Sequence, residues 1–309
     1  MLSTDPFVIP PYLKERIREL PPLTMSVAGA NNVVAMESAR MVADAGLAEP
    51  ILVGDEDAIR AIAKDIGWDL TNIRIVAAET EDDASEKAVA LARNKEAALL
   101  MKGHVHTDSI MRAIIDKENG LRTGRRTSHV FHMTVPNSDK VLYITDAAIN
   151  VAPDVGIKMD ILKNAIEMVH AMGIETPHVA VLSGAEVVNP SMPSSVEADE
   201  VVKRANNGEV TGAIVDGPLA FDGAVSTEAA KIKGIDSPVA GKADVLLVPN
   251  IETGNGLFKQ MVYFMSATAA GVVMGAKVPI ILTSRADPPE ARFASAAVAA
   301  IVAAANKNS

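Results

Sequence analysis

The sequence contains no cysteine, and this absence excludes three kinds of chemistry. Disulfide bridges, thiolate metal sites and cysteine nucleophiles cannot occur in this chain. Positive charge is also scarce, since 29 lysines and arginines stand against 39 aspartates and glutamates, for a net charge of −10. Because nucleic acids and anionic membranes bind basic surfaces, the sequence predicts neither of them as a partner.

Long apolar runs are missing too. The amino-terminal MLSTDPFVIPPYLKERIREL has no basic stretch followed by a long apolar one, so it predicts no signal peptide and a cytoplasmic location. The most apolar helical stretch, residues 261–276, contains a serine, a threonine and two glycines and is too short to span a bilayer. We interpret it as a buried helix.

The chain of 309 residues is long enough for two domains and alternates short apolar runs with segments of helical period. Segments such as DAIRAIAKDIG and DILKNAIEMVHAMG have the spacing of amphipathic helices. The pattern predicts an α/β protein whose mostly parallel sheets are covered by helices on both faces. A domain boundary is expected near residue 125, in the loop GLRTGRRTSH. The predicted strands are 24–29, 50–54, 73–77, 97–101, 141–145, 178–183, 213–216, 244–249 and 278–283.

Glycine, asparagine, aspartate and serine follow many of these predicted strands. In open α/β sheets, ligands bind beyond the carboxyl ends of the strands, so a site is expected there. The same residue types are also common in turns and helix caps, which is the alternative explanation.

The stretch MKGHVHTDSIMR raises the question of a metal site, because His104 and His106 would share one face of a strand. A metal would need further ligands, and Asp108 is better explained as a helix N-cap. Loop histidines that hydrogen-bond the backbone are the plainer alternative. The basic residues between 102 and 132, among them Arg112, favour instead a site for an anionic small molecule.

Three more segments place polar residues after strands. In VPIILTSRADPPEAR, Ser284 and Arg285 end a strand and Asp287 precedes a helix whose free N–H groups suit an anion. In VPNIETGNGLFK, the glycines permit a ligand to approach the backbone closely. In DGPLAFDGAVS, Asp216 and Asp222 could bind a metal, transfer protons or cap turns, and the last is favoured.

Taken together, these motifs resemble the phosphate acetyltransferase/phosphate butyryltransferase family, with details closer to its butyryl-type branch. The resemblance runs in order over nearly the whole chain. It is carried by PILVGDEDAI, KGHVHTDSIMRAI, GLRTGRRTSHVF, YITDAAINVAPD, VNPSMPSSVEAD, DGPLAFDGAVS, SPVAGKADVLLVPNIETGN and LTSRADPPEAR.

The resemblance implies an isocitrate/isopropylmalate dehydrogenase-like architecture, with two domains, an interdomain cleft and a homodimeric assembly. Residues 1–124 with 272–309 would form domain one, and 125–271 an inserted domain two. The implied reaction is reversible, from acyl-CoA and phosphate to acyl phosphate and CoA. Coenzyme A would then be a substrate, and no cofactor or metal would be required.

Residue roles follow from the same resemblance. Arg112 would bind phosphate, and Ser284 and Arg285 would lie beside the thioester and the transferred phosphate. The acetyl-type enzymes have an aspartate, the proposed base, where this chain has Ala291, so Asp287 and then Glu290 are the candidate carboxylates. The further candidates for substrate binding are His104, His106, Thr107, Asp216, Asn250, Gly254 and Asn255.

Two other functions are carried forward as alternatives. A metal- and NAD-dependent decarboxylating dehydrogenase would have a similar fold, but it needs a carboxylate cluster and a nicotinamide site, and neither pattern is clear. A non-catalytic protein that binds acyl phosphate or CoA is the second alternative.

Overall fold

The computed structural model describes residues 2–283 and 287–307. The chain forms an α/β protein that divides into two compact units. The first unit contains residues 7–125 and 270–309, and the second contains residues 1–6 and 126–269. Residues 2 and 3 join the second unit because their main-chain N–H groups donate to the carbonyl of Tyr263, at 3.0 and 3.4 Å.

The first unit is built on a sheet with the strand order β3-β2-β1-β4-β11-β10. Its strands run parallel except for β10 and β11, which pair antiparallel. The strands are β1 (Thr24–Ala28), β2 (Glu49–Gly54), β3 (Arg74–Ala77), β4 (Leu99–Lys102), β10 (Thr268–Met274) and β11 (Ile280–Ile281). The helices are α1 (Pro11–Ile17), α2 (Val33–Asp44), α3 (Glu56–Asp65), α4 (Glu81–Arg93), α5 (Thr107–Ile115) and α11 (Pro289–Lys307).

Strands β1, β2 and β4 are buried almost without a break, because helices cover both faces of a parallel sheet. Side-chain caps define where the following helices start. Asn32 accepts from the N–H of Val34 at the start of α2, and Thr80 accepts from the N–H of Asp83 at the start of α4. These caps fix where each strand gives way to its helix.

The second unit has the strand order β5-β6-β9-β7-β8, parallel except for the β5–β6 pair. Its core joins apolar side chains from all five of these strands. The strands are β5 (Ser128–Thr134), β6 (Val141–Thr145), β7 (His178–Leu182), β8 (Ile214–Leu219) and β9 (Val245–Leu247). The helices are α6 (Val155–Ala171), α7 (Pro193–Arg204) with a π-helical turn at Ala205–Glu209, α8 (Phe221–Val225), α9 (Thr227–Lys233) and α10 (Ile251–Met265).

The predicted α/β class is confirmed, and each of the nine predicted strands corresponds to a strand of the structure. Two strands of the structure were not predicted, β5 and β10. The prediction of one buried helix over 261–276 is wrong. Helix α10 ends at Met265, Ser266 takes a left-handed conformation with φ of 48°, and β10 begins at Thr268. A fully buried strand of small and β-branched residues lacks the alternation that would distinguish it from a buried helix.

Within residues 2–283 and 287–307, no helix combines the length and the apolarity that crossing a membrane requires.

Candidate active site

His104 lies where the connections that follow β1, β4 and β11 come together. Gly103 donates its N–H to the carbonyl of Ala28, and His104 donates to the carbonyl of Gly29, both at 2.8 Å. A Cβ on Gly103 would lie 2.6 Å from the Gly29 carbonyl oxygen, so only glycine allows this approach. The close packing of the two connections sets the position of His104.

His104 lines a pocket of about 130 Å³ at the carboxyl ends of these strands. Lys102 and Arg292 line the same pocket, and each is only 9% exposed. Two basic side chains in the lining of one small pocket favour an anionic ligand. Polar groups of Asn32, Ser38 and Thr283 complete the polar part of the lining.

Asp287 lies beside this pocket through its contact with Arg292. The guanidinium Nη1 of Arg292 donates to the main-chain carbonyl of Asp287 at 2.6 Å. Helix α11 begins at Pro289, so Pro288, and not Asp287, directly precedes its first residue. The candidates Ser284 and Arg285 lie outside the described residues.

His106 and Thr107 lie at the start of α5 and not on a strand. Because β4 ends at Lys102, the idea that His104 and His106 share a strand face is wrong. His106 occupies the N-cap position of α5 and Thr107 is its first residue, so Asp108 is not the cap. No group of three or more histidine, aspartate or glutamate side chains is arranged to hold a metal ion in the described parts of the chain.

His106 is held by Glu81, the first residue of α4. One carboxylate oxygen of Glu81 accepts the main-chain N–H of His106 at 3.0 Å and lies 2.6 Å from the ring Nδ1. These two hydrogen bonds, the main-chain one first, hold the pKa of the Glu81 carboxyl below its usual value. The pair ties the start of α5 to the start of α4.

Arg112 lies on the solvent-exposed side of α5. Its side chain is 68% exposed, and its Nη1 is 3.3 Å from the carboxylate of Asp82. It lines a groove of about 360 Å³ that also contains Asp82, Glu86, Arg93 and Asp116. Within the first unit, the structure therefore does not place Arg112 in the pocket of His104 and Lys102.

In the second unit, Asn250, Gly254 and Asn255 lie together at the start of α10. Asn250 caps the helix by accepting from the N–H of Thr253 at 3.0 Å, and Asn255 donates to the carbonyl of Ala147 at 3.2 Å. A Cβ on Gly254 would lie 2.7 Å from the carbonyl oxygen of Asp146. Gly254 and Asn255 thus pack against the connection that follows β6, while Asn250 caps the helix.

Asp216 lies apart from that group, on β8, which β7 separates from β9. It is half-buried, and its carboxylate accepts the N–H of Gly217 at 2.9 Å. Asp222 pairs with Lys233, which lowers the pKa of the Asp222 carboxyl. The carboxylate of Asp222 is thus held in an ion pair with Lys233 within the protein.

Arg292 was not singled out from the sequence, although a signal for it exists. Every residue from 291 to 304 is buried, and Arg292 is the only charged one among them. A charge on a helix that is otherwise buried all round indicates a specific partner.

Comparison with known proteins identifies the family of this chain. The family model described as phosphate acetyl/butaryl transferase matches residues 76–300. The chain belongs to this family. A phosphate acetyltransferase of Rhizobium meliloti is 48% identical over 286 residues, which cover 93% of this chain and 90% of that protein. A phosphate butyryltransferase of Clostridium acetobutylicum is 43% identical over 279 residues, covering 90% of this chain and 93% of that protein.

The fold agrees with this membership. The crystal structure of a branched-chain phosphotransacylase from Enterococcus faecalis V583 matches with a TM-score of 0.79 and 31% sequence identity. The match covers 91% of this chain and 99% of that one. The family expected from the motifs is therefore confirmed, whereas a closer match to its butyryl-type branch is not shown. The comparisons do not favour the dehydrogenase alternative.

Proposed function

We propose that this phosphate acyltransferase family member interconverts acyl-CoA and phosphate with acyl phosphate and CoA, for an acetyl or a butyryl group. The observation that carries the proposal is the 48% identity with a phosphate acetyltransferase over 93% of the chain. Relatives named for acetyl and for butyryl transfer match over similar shares of the chain. The choice between the two acyl groups is therefore left to experiment.

The chemistry needs a thiolate, an oxyanion site and a place for phosphate. When acyl phosphate is consumed, the CoA thiol must lose its proton, because only the thiolate is a strong nucleophile. Asp287 is the carboxylate that we propose to assist, with Glu290 as the second choice. The thiolate attacks the acyl carbonyl within a ternary complex, and no covalent acyl-enzyme is required.

The developing oxyanion needs donors aimed at it, a contribution of about 3 kcal/mol for each donor. Ser284 and the first N–H groups of α11 are the proposed donors. Phosphate leaves as an anion, and Arg285 and Arg112 are proposed to hold it. The pocket that His104 shares with Lys102 and Arg292 supports an anionic substrate group at this end of the sheet.

The remaining candidates are proposed to contact substrate from two other helix starts. His106 and Thr107 begin α5, and Asn250, Gly254 and Asn255 begin α10. The unpaired N–H groups of a helix start suit phosphate oxygens, of which CoA carries several. Asp216 remains a candidate without a contact that supports it. We also propose that the two compact units are the two domains of the family.

We further propose a homodimer and a cytoplasmic location. Helix α10 ends in three consecutive exposed apolar side chains, Tyr263, Phe264 and Met265, which are 46%, 54% and 47% exposed. Leu2, 72% exposed, is hydrogen-bonded through its N–H to Tyr263. An exposed apolar patch of this kind is typical of a contact between protein chains, and a second copy of this chain is the proposed occupant.

The decisive test measures CoA release from acetyl-CoA and from butyryl-CoA in the presence of phosphate, with and without EDTA. We expect release that requires phosphate and survives dialysis against the chelator. Activity lost to EDTA and restored by zinc or manganese would contradict the expectation that no metal is required. Binding of CoA without any turnover would instead support the non-catalytic alternative.

A further inference from the structure

Arg292 is a buried cation with an unusual partner. The residue is 9% exposed, and its Nη1 donates to the main-chain carbonyl of Asp287 at 2.6 Å. No hydrogen-bond acceptor for its Nε, which is itself buried, is found among the described residues. A carbonyl oxygen accepts a hydrogen bond but does not neutralise the charge. The guanidinium is therefore paired less completely than burial of a cation normally demands.

The two residues occupy defined positions at the start of α11. With Pro289 as the first helical residue, Asp287 precedes the capping position and Arg292 is the fourth residue of the helix. In many helices an apolar pair at these two positions fixes the direction in which the chain enters the helix. Here a hydrogen bond joins the same two positions. The contact thus determines where the backbone of Asp287 lies relative to α11.

A purely structural role explains this contact poorly. The first turn of α11 is already closed by the carbonyl of Pro288, which accepts the N–H groups of Ala291 at 3.1 Å and Arg292 at 3.2 Å. An uncharged side chain would fill the same space without the cost of burying a cation. Arg292 also lines the pocket that contains Lys102 and His104. Its charge and its hydrogen bond both act at the end of the sheet where the chemistry is proposed.

We propose that Arg292 is a positioning residue, which holds the backbone of Asp287 so that its carboxylate reaches the CoA thiol. The inference rests on the proposed function and on the role given to Asp287 in it. Ala291 occupies the position where the resemblance places the aspartate of the acetyl-type enzymes. In this chain the proposed base then lies earlier, before the first residue of the regular helix. Arg292 holds that base in position, as the helix itself would do for a residue within it.

The test compares two variants. Arg292→Met keeps the length of the side chain and removes its hydrogen-bond donors. Arg292→Lys keeps a donor for the carbonyl of Asp287. We expect Arg292→Met to lose about tenfold or more in kcat at pH 7, because small misplacements of a reacting group are costly. The loss should shrink toward pH 9, where CoA ionises unaided, and Arg292→Lys should recover part of the rate. Combined with Asp287→Asn, Arg292→Met should add little further loss, since both changes remove one function.

Ser295→Ala is the matched control on the same helix. The Ser295 hydroxyl is fully buried, accepts the N–H of Gly271 and donates to the carbonyl of Ala291, so its loss weakens packing without touching Asp287. We expect a lower melting temperature for this variant and an unchanged pH profile.

The proposal is overturned if folded Arg292→Met keeps the wild-type kcat, or if its loss in kcat multiplies with that of Asp287→Asn. If Arg292→Met does not fold, Arg292→Lys takes its place in the test. A fall in the kcat of Arg292→Lys that does not recover toward pH 9 would then contradict the proposal.

Deuterium uptake of the peptide that covers residues 287–292 tests the contact without any turnover. Arg292→Met should raise uptake there, and Arg292→Lys should raise it less. If the wild-type protein releases no CoA, the proposed function fails, while the uptake still reports on the contact itself. If the wild type is active and the uptake is unchanged, the positioning role alone is refuted.

Discussion

The side chain of Arg112 has two possible anionic partners, the carboxylate of Asp82 and a substrate phosphate. Its pair with Asp82 is exposed on both sides, and pairs of this kind contribute about 0–1 kcal/mol. A hydrogen bond to a charged group in a substrate complex contributes about 1.5–3 kcal/mol. Phosphate can therefore displace Asp82 from the guanidinium.

From this difference we predict that Arg112→Ala raises the KM for phosphate by about 10–100-fold and leaves the KM for CoA nearly unchanged. Arg112→Lys should recover only part of the affinity, because an ammonium lacks the forked geometry of a guanidinium. Asp82→Asn is the control, since it removes the competing carboxylate and should not raise the phosphate KM. Initial-rate kinetics with varied phosphate checks this, and an unchanged KM in Arg112→Ala would refute the assignment.

Asp287 leads to a prediction about rate and not about affinity. Asp287→Asn should fold normally and lose at least about tenfold in kcat for acyl-phosphate consumption at pH 7. The loss should diminish toward pH 9, because more of the CoA is then ionised without help. Because asparagine keeps the size and the capping ability of aspartate, we expect little loss of stability. A fully active Asp287→Asn enzyme would transfer the role to Glu290, which Glu290→Gln examines in parallel.

A sequence pattern can group site residues only where they are neighbours in the chain. The basic stretch after residue 102 indicated an anion site, and His104 indeed lines a pocket with Lys102. The contribution of Arg292 could not be predicted in this way. It reaches that pocket only because β11 pairs with β4, which brings residues near 280 beside residues near 100. Local patterns do not record such a pairing.

Among the secondary-structure elements, β5 carries a titratable group that was not anticipated. His132 is 1% exposed, it lies opposite Tyr143 on β6, and the two ring centroids are 5.4 Å apart in an edge-on arrangement. Burial lowers the pKa of His132 from 6.5 to about 4. Polar residues such as His129 and His132 also explain why the strand was missed, since they break the apolar run that predicts a buried strand.

This buried histidine should make the protein sensitive to acid. The unfolded chain binds a proton at His132 near pH 6.5, whereas the folded chain binds it only near pH 4. Stability is therefore complete above about pH 6.5 and falls as the pH drops toward 4, by roughly 3 kcal/mol.

His132→Phe keeps an aromatic ring against Tyr143 and removes the titration. We expect the variant to lose less stability between pH 6.5 and 4 than the wild type, as measured by urea unfolding at several pH values. His170→Gln is the control, because His170 is an exposed histidine of the same unit. The cause is misassigned if His132→Phe and the wild type show the same dependence on pH.

The proposed homodimer belongs to the scale of the whole molecule, and the exposed end of α10 makes it testable. A buried charge is costly, so Phe264→Glu at the centre of that apolar patch should dissociate the dimer. Ile232→Glu is the matched control, because Ile232 is also a large exposed side chain of the second unit, at 78% exposure. Sedimentation equilibrium of the two variants and the wild type measures the effect. A dimer that survives Phe264→Glu must use another surface.

The pairing of β11 with β4 has a consequence for the order in which the protein is made. The segment of residues 7–125 leaves the ribosome first, but β4 obtains its second neighbour only when residues 280 and 281 have been synthesised. The second unit is nearly continuous, from 126 to 269, and can complete its fold earlier. Until residues 280 and 281 are available, one edge of β4 stays open to pairing with other chains. Premature termination before residue 280 would therefore leave nascent chains prone to aggregate through the part that was made first.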